Sequence, residues 1–468
     1  MSTSASNAGS GTTQSDVTFN SGAITTSPVS VNTSGWYAGT RVVITATGVT
    51  IATGGTVSLT DSAITAAYYG VNASGTGVAI LNDTNITSGA NNGHGVTLAT
   101  SSTLLMSGGA ITTTGANAVG VNLASASSGS LQGAVINSHG HGTNITGASG
   151  MVLNNVIITT SGSGAFGVRV DASSTLTMTG GAITTLNTGM GVRVSNTSVA
   201  ILRDVTIVTN GLLSHGLRPS EGSVMTVSGG AVTTLGNESH GLLAVGGTAC
   251  VNGIHIITSG SFSYGVALDS SDSFVEMSNS TIEVSGKGSS GILLTGAGRG
   301  EVYLANTNIT VRGSAEGVIL RSGLDTTKIL EITGGSIVAG QGGGISVNKE
   351  NRLLNAATMV SGSTAYDITI KGGATFSGTV ALDITSILTG TDAGGNLVEA
   401  DTPTTVTVNV EGNSTLTGGA NFAGAATTTL TLTDSTLTGD LTGSGSATLT
   451  VTLDNSVFTG VTTLGGNS

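Results

Sequence analysis

The sequence predicts an all-β chain wound as a right-handed parallel β-helix, a single elongated rod, and three observations carry that expectation. A glycine followed by alternating apolar residues recurs at Gly70, Gly95, Gly120, Gly142, Gly167, Gly191, Gly216, Gly241, Gly265, Gly291, Gly317 and Gly344, spanning 274 residues in 11 intervals, a mean period of about 25. A second register, Ile64, Ile86, Ile111, Val135, Ile157, Ile183, Ile207, Val232, Ile256, Ile282, Ile309 and Ile337, keeps the same period. Composition is the third: glycine fills 75 of 468 positions and charged residues only 8%, so Ser, Thr and Asn keep the surface wet, while 38% apolar residues at regular spacing supply a core. Fixed periods of roughly 20 to 50 residues mark stacked repeats.

Within each repeat, segments such as Gly167-Val-Arg-Val170, Gly191-Val-Arg-Val194 and Gly265-Val-Ala-Leu268 alternate, as strands with one buried face do. Gly, Ser and Asn turns separate them. A repeat of this length is too short for a four-stranded propeller blade and suits one coil of a solenoid. Coils stacked about 4.8 Å apart make equivalent positions neighbours, so each Ile of the second register packs on the Ile one coil below.

Residues 1–350 carry these coils of about 25 residues, and 351–468 carry narrower coils of about 21, marked by Ser414, Ser435 and Ser456 and followed by Leu416, Leu437 and Phe458. The run from Asp392 to Asp401, which ends at Pro403, breaks the spacing and reads as a surface loop inserted near 386–403. No linker rich in Pro or charge divides the chain, so a continuous core is expected.

The net charge of −12, from 25 acidic and 13 basic residues spread thinly, argues against nucleic acid, which requires clustered Lys and Arg. Cys250 is the sole cysteine; it lies in an apolar strand without a basic neighbour to activate it, which suggests a small buried hydrophobe. No apolar run approaches the roughly 18 residues of a membrane helix. The start, Met1-Ser-Thr-Ser-Ala-Ser-Asn7, lacks the pattern of a signal peptide, so the chain reads as a soluble fragment or a mature form.

The phrases Gly108-Gly-Ala-Ile-Thr-Thr-Thr-Gly115, Gly180-Gly-Ala-Ile-Thr-Thr185 and Gly229-Gly-Ala-Val-Thr-Thr234, each followed by a Gly-Val or Gly-Leu strand, resemble the coils of pertactin-like autotransporter passenger domains (type V secretion). The resemblance covers nearly the whole chain. It implies export through periplasm and outer membrane and display on the bacterial surface or release from it. Membrane attachment would come only through a C-terminal barrel, which this chain lacks. The function so implied is that of an adhesin or host-protein-binding virulence factor, acting as a monomer on a host protein or glycan. Self-association between bacteria and β-helix polysaccharide degradation are the alternatives. No R-G-D sequence of the kind some relatives use on integrins is present.

Candidate chemistry is sparse. His94, His141, His215 and His240 each precede a repeat Gly, which suggests a metal site, but the column continues as Tyr69, Phe166, Met190 and Tyr264. A mixed stack on the same side as the inward Val is the simpler reading. Gly162-Ser-Gly-Ala-Phe-Gly167 matches a dinucleotide fingerprint but leads into a strand where a helix is needed. Asp392, Glu399 and Asp401 lack the spacing of a cation loop. Asp204, Asp269, Asp272 and Glu276 are single and scattered, whereas glycosidase chemistry needs paired carboxylates, and no serine-protease signature occurs. Thr427-Thr-Thr-Leu-Thr-Leu-Thr433 resembles threonine arrays of ice-binding faces, although threonine is simply a good strand residue. No enzyme, cofactor or metal is expected.

The expected contact surface is the column two residues past each repeat Gly: Thr97, Asn122, Asn144, Arg169, Arg193, Arg218, Leu243, Ala267, Leu293 and Ile319, facing solvent. Stacked arginines repel by about 1 kcal/mol even in water-like dielectric. Asp171, on the same face as Arg169, can offset part of that. Beyond them Leu243, Val245, Leu293 and Ile319 read as an exposed apolar stretch. Arg169, Arg193, Arg218, Leu243, Val245, Leu293 and Ile319 are therefore the candidate partner-binding residues, with the arginines meeting an acidic or sulfated group.

Overall fold

The computed structural model describes residues 17–19, 24–25, 29–31, 34–45, 47–269, 272–296, 298–313, 315–321, 326–348, 354–355, 364–391, 397–401 and 404–465. They fall into two compact units, residues 1–214 with 221–226, and residues 215–220 with 227–468. Each is a parallel β-solenoid, the expected fold class, without helix among the described residues.

In the first unit a coil has three strands. A five-residue strand such as Thr103–Ser107 is followed by a four-residue strand, Ala110–Thr113, and after a bend by a three-residue strand, Val121–Leu123. Each pairs in parallel with its counterparts one coil away: Leu104 registers with Ala79 and Gly129, Ile111 with Ile86 and Ile136, Val121 with Val96 and Thr143. Alternate residues are buried, as the period of two dictates.

The turn between the first two strands forces a left-handed backbone at Asp83, Gly108, Asn155, Gly180 and Asp204, with φ between 46° and 66°. Only Gly, Asn and Asp adopt that conformation cheaply, which is why a Gly, Asn or Asp opens every such phrase. At the corner between the third strand and the five-residue strand of the next coil, buried serines form a ladder: the Ser127 N–H donates to Ser149 Oγ (3.2 Å), Ser149 N–H to Ser174 Oγ (3.2 Å) and Ser174 N–H to Ser198 Oγ (3.1 Å). The hydroxyls satisfy backbone groups the corners would otherwise orphan.

The two sequence registers meet in space. A Cβ on Gly95 would stand 2.2 Å from Ile111 Cγ2 and 2.6 Å from the Gly120 carbonyl oxygen, and Gly70, Gly120 and Gly142 face Ile86, Ile136 and Ile158 in the same way. The register members at two coils are thereby corrected. Ile136 and Ile158 occupy the buried column, whereas Val135 is half-buried and Ile157 exposed, because they pair with Ala110 and Ala182 respectively at the outward first position of the strand.

The second unit repeats the pattern as far as Gly343–Val347. Beyond, the shorter strands merge into longer ones, Thr375–Thr385 and Thr415–Ala423, which pair in parallel across a register shift. Ser435 N–H donates to Ser456 Oγ, 21 residues on, at 3.0 Å. In the segment expected as a surface loop, Ile387–Thr391 pairs antiparallel with Leu397–Asp401, an added hairpin. Asp392 lies outside the described residues.

Candidate functional site

In the first unit the short strand after each repeat Gly buries its first and third residues and turns the second outward. Val168 and Val170 are fully buried, and Arg169 is half-exposed. Parallel pairing aligns the outward residues as rungs, Asn72, Thr97, Asn122, Asn144, Arg169 and Arg193 in order. The Asn144 amide donates to Asn122 Oδ1 at 2.7 Å. Arg169 donates through Nη2 to Asp171 Oδ2 at 2.6 Å, the expected compensation. Burial pushes the Asp171 carboxyl up. Hydrogen bonds from Asn196 (2.6 Å) and the Ala172 N–H (2.9 Å), the Arg169 charge and the Ser195 hydroxyl more than offset it and hold the group below its ordinary value. Two arginines against one aspartate leave a positive charge uncompensated at Arg193, whose guanidinium lies 5.9 Å from the centroid of the Phe166 ring.

That contact corrects the expected orientation of the column before each repeat Gly. The chain bends at the Gly, so the preceding side chain leans over the outward rungs and does not join the inward Val. His141 and Phe166 stack at 4.9 Å, and Tyr69 and His94 approach at 5.8 Å. The Val119 N–H donates to Nδ1 of His94 at 3.0 Å and the Phe166 N–H to Nδ1 of His141 at 2.9 Å. Burial lowers the pKa of His94; burial, then the charges of Arg169 and Arg193, push that of His141 down to about 4. Both rings are neutral at pH 7 and hold the coils together through accepted backbone hydrogens.

In the second unit the same position carries Arg218, Leu243, Ala267, Leu293 and Ile319, and here the expected exposure is corrected. Leu243 is 8%, Ala267 1%, Leu293 7% and Ile319 2% exposed, one cluster against which Tyr264 and the half-buried Val245 pack. Tyr264 stands in the column that leans over the rungs, so the bend that exposes a strip of polar residues in the first unit shields an apolar one here. Among the described residues these four are core and offer a partner little surface. His215 and His240 stack at 4.8 Å and His240 and Tyr264 at 4.9 Å. Nδ1 of each histidine accepts the next coil's N–H at 3.1 Å, which leaves only Nε2 edges for a metal. Arg218 lies one residue beyond Leu217, which registers with Leu242.

Three further side chains depart from the sequence reading or escaped it. Cys250 is half-buried on the outer face of its strand beside Glu276, not in the core, since Ala249 and Val251 take the inward positions; burial, then Glu276, raises its pKa. Lys328 is fully buried, its Nζ donating to the carbonyls of Gly298 (2.7 Å), Gly296 (2.9 Å) and Thr295 (3.3 Å). Glu316, also buried, accepts from the Gly343 N–H and from Ser346 Oγ. The lone position of Lys328 in an otherwise inward-alternating strand was the available signal.

A chain in the cryo-EM structure of the Vag8–C1 inhibitor complex shares this fold, with a TM-score of 0.61 over 94% of this chain and 100% of that one, at 15% sequence identity. No protein-family model matches the sequence, and no curated protein matches it.

Proposed function

We propose that this chain is an autotransporter passenger, displayed on the bacterial surface or released from it, which acts as an adhesin by capturing a host protein and performs no catalysis. The observation that carries this reading is the shared solenoid fold with a chain solved in a complex with C1 inhibitor, across nearly the full length of both. The G-G-x-I-x-T coils that resemble pertactin-like passengers support it independently. Scattered carboxylates support a binding role over hydrolysis. Export through periplasm and outer membrane, and attachment through a C-terminal barrel, follow from the same reading.

We place the contact on the outward arginines of the first unit, Arg169 and Arg193, and keep Arg218 of the second unit as a separate candidate. Leu243, Leu293 and Ile319 drop out as anchors because they are covered, and Val245 drops out because it is half-buried against them. Capture of serum and matrix proteins by the purified chain, together with adherence of bacteria displaying it to host cells, tests the proposal. A specific host protein retained by the parent and lost on charge reversal at Arg193 is expected. Autoaggregation without host capture would favour self-association, and glycan cleavage would favour an enzyme; either overturns the reading.

A further inference from the structure

We propose that the outward rungs of the first unit, from Asn72 to Arg193, form an extended site for an acidic glycan. This rests on the reading that the arginine face meets a partner, but not on that partner being a protein.

The rungs are a linear array. Parallel register places Asn72, Thr97, Asn122, Asn144, Arg169 and Arg193 at successive coils, about 4.8 Å apart, so a ligand that engages them must itself be linear and repeat its chemistry. Every one of these side chains is half-exposed. Yet Thr97 Oγ1, Asn144 Oδ1, Arg169 Nε and Arg193 Nε are shielded polar atoms without a hydrogen-bond partner. A shielded donor or acceptor left unpaired is costly, so a ligand toward which the side chains rotate gains what they now lack.

The order of those atoms selects the ligand. Asn144 Oδ1 offers an acceptor and the Thr97 hydroxyl either role, which hydroxyl groups on a ligand satisfy; Arg169 and Arg193 offer donors, and only Arg169 has a carboxylate beside it. An anionic group at Arg193 completes the charge there. Beside the rungs runs the column that precedes each repeat Gly, Tyr69, His94, Val119, His141 and Phe166; His141 and Phe166 stack on one another, so they wall the strip with ring edges. Hydroxyl groups and intermittent negative charge on one linear molecule describe a sulfated or uronate-bearing polysaccharide. A chain of net charge −12 repels polyanions in general, so attraction must be local.

Calorimetric titration of the full chain tests this with four probes of equal length: a sulfated glycosaminoglycan decasaccharide, its desulfated counterpart, a homopolymer of uronic acid and a neutral glucan. The sulfated or the uronate probe should bind at least tenfold tighter than the neutral one, and which of the two does so identifies the anion. Arg193→Gln should weaken that binding tenfold or more, Arg193→Lys by less, and Asn144→Ala and Thr97→Ala each two- to fivefold. Arg203→Gln, on an exposed rung of the five-residue strands, should change nothing. Melting curves of all variants should overlay the parent. Failure of every acidic probe to bind, or equal weakening by Arg203→Gln and Arg193→Gln, overturns the site. If Arg193→Gln abolishes capture of a host protein while no glycan binds, the rungs serve protein recognition and this proposal fails alone. If a glycan binds and no host protein is captured, the adhesin reading by protein capture fails and the site stands.

Discussion

His240 donates its backbone N–H to Nδ1 of His215 over 3.1 Å, and the two imidazole rings stack with centroids 4.8 Å apart. The bond requires an unprotonated Nδ1, so the ring proton sits on Nε2. Burial, then the charge of Arg218, pulls the His215 pKa from 6.5 down to about 4. Between those values the unfolded chain holds a proton that the folded chain lacks, and stability rises with pH. The contribution of neutral His215 is therefore complete above pH 6.5 and drains away on acidification toward pH 4. Asn at this position keeps an acceptor near Nδ1 and does not titrate. Urea unfolding followed by circular dichroism should show the parent losing on the order of 1–3 kcal/mol more than His215→Asn between pH 7 and pH 4.5. Equal losses would mean that the ring does not titrate in this window.

The Gly95 contact with Ile111 leads to a sharper stability test. A methyl on Gly95 would meet both Ile111 Cγ2 and the Gly120 carbonyl, and that carbonyl accepts the Val96 N–H at 2.9 Å and cannot retreat without breaking the bond. Gly95→Ala should cost about 2–4 kcal/mol in urea unfolding. Gly89→Ala is the control, because its nearest atom, Thr114 Oγ1, is 3.9 Å from the new carbon. It should stay within roughly 0.5 kcal/mol of the parent. Comparable losses in both variants would show that glycine acts through backbone flexibility and not through space.

These contacts explain how far the sequence could be read. The Gly and Ile registers drift together because each Gly makes room for an Ile of the next coil, so insertions must shift both at once. Period, coil and outward position were legible for that reason. The bend at each repeat Gly was not: alternation assumes a straight strand, and a straight strand would carry His141 inward, away from Arg193. Once the chain bends, the same strand of alternating residues after the repeat Gly yields either an open strip or a covered one. What decides is whether the rung is long and polar, as at Arg169, or compact and apolar, as at Leu293.

Leu293 therefore behaves as core. Its exposure is 7%, and Leu243, Ala267 and Ile319 close around it. Leu293→Ser removes apolar contacts and buries a hydroxyl, which should cost about 2–4 kcal/mol. Thermal unfolding read by circular dichroism distinguishes this from the surface expectation, under which the melting curve would hardly move. A variant that melts with the parent would return Leu293 to the surface.

Lys328 supplies the last prediction. It occupies an inward position opposite Gly300, whose missing side chain leaves room for the lysine stem, with Cδ 3.6 Å from where a Cβ would stand. The ammonium then reaches three carbonyls in the turn that precedes Gly300. Burial lowers its pKa from 10.5 to about 8, so at pH 7 the group is still charged and the three oxygens share its protons. Lys328→Met keeps the stem and deletes the head, leaving three acceptors in the turn without this donor, at a cost on the order of 3–5 kcal/mol. The loss should be local first, because a turn pinned by one cation loosens when the cation goes. Arg299 stands in that turn, its side chain 60% exposed and paired with Glu301. Brief trypsin treatment should therefore nick the Lys328→Met chain after Arg299 at least several times faster than the parent, with cleavage after exposed Arg203 unchanged as the internal reference. Equal rates at Arg299 would mean that the turn is held by its own backbone and that the lysine is a passenger in the core.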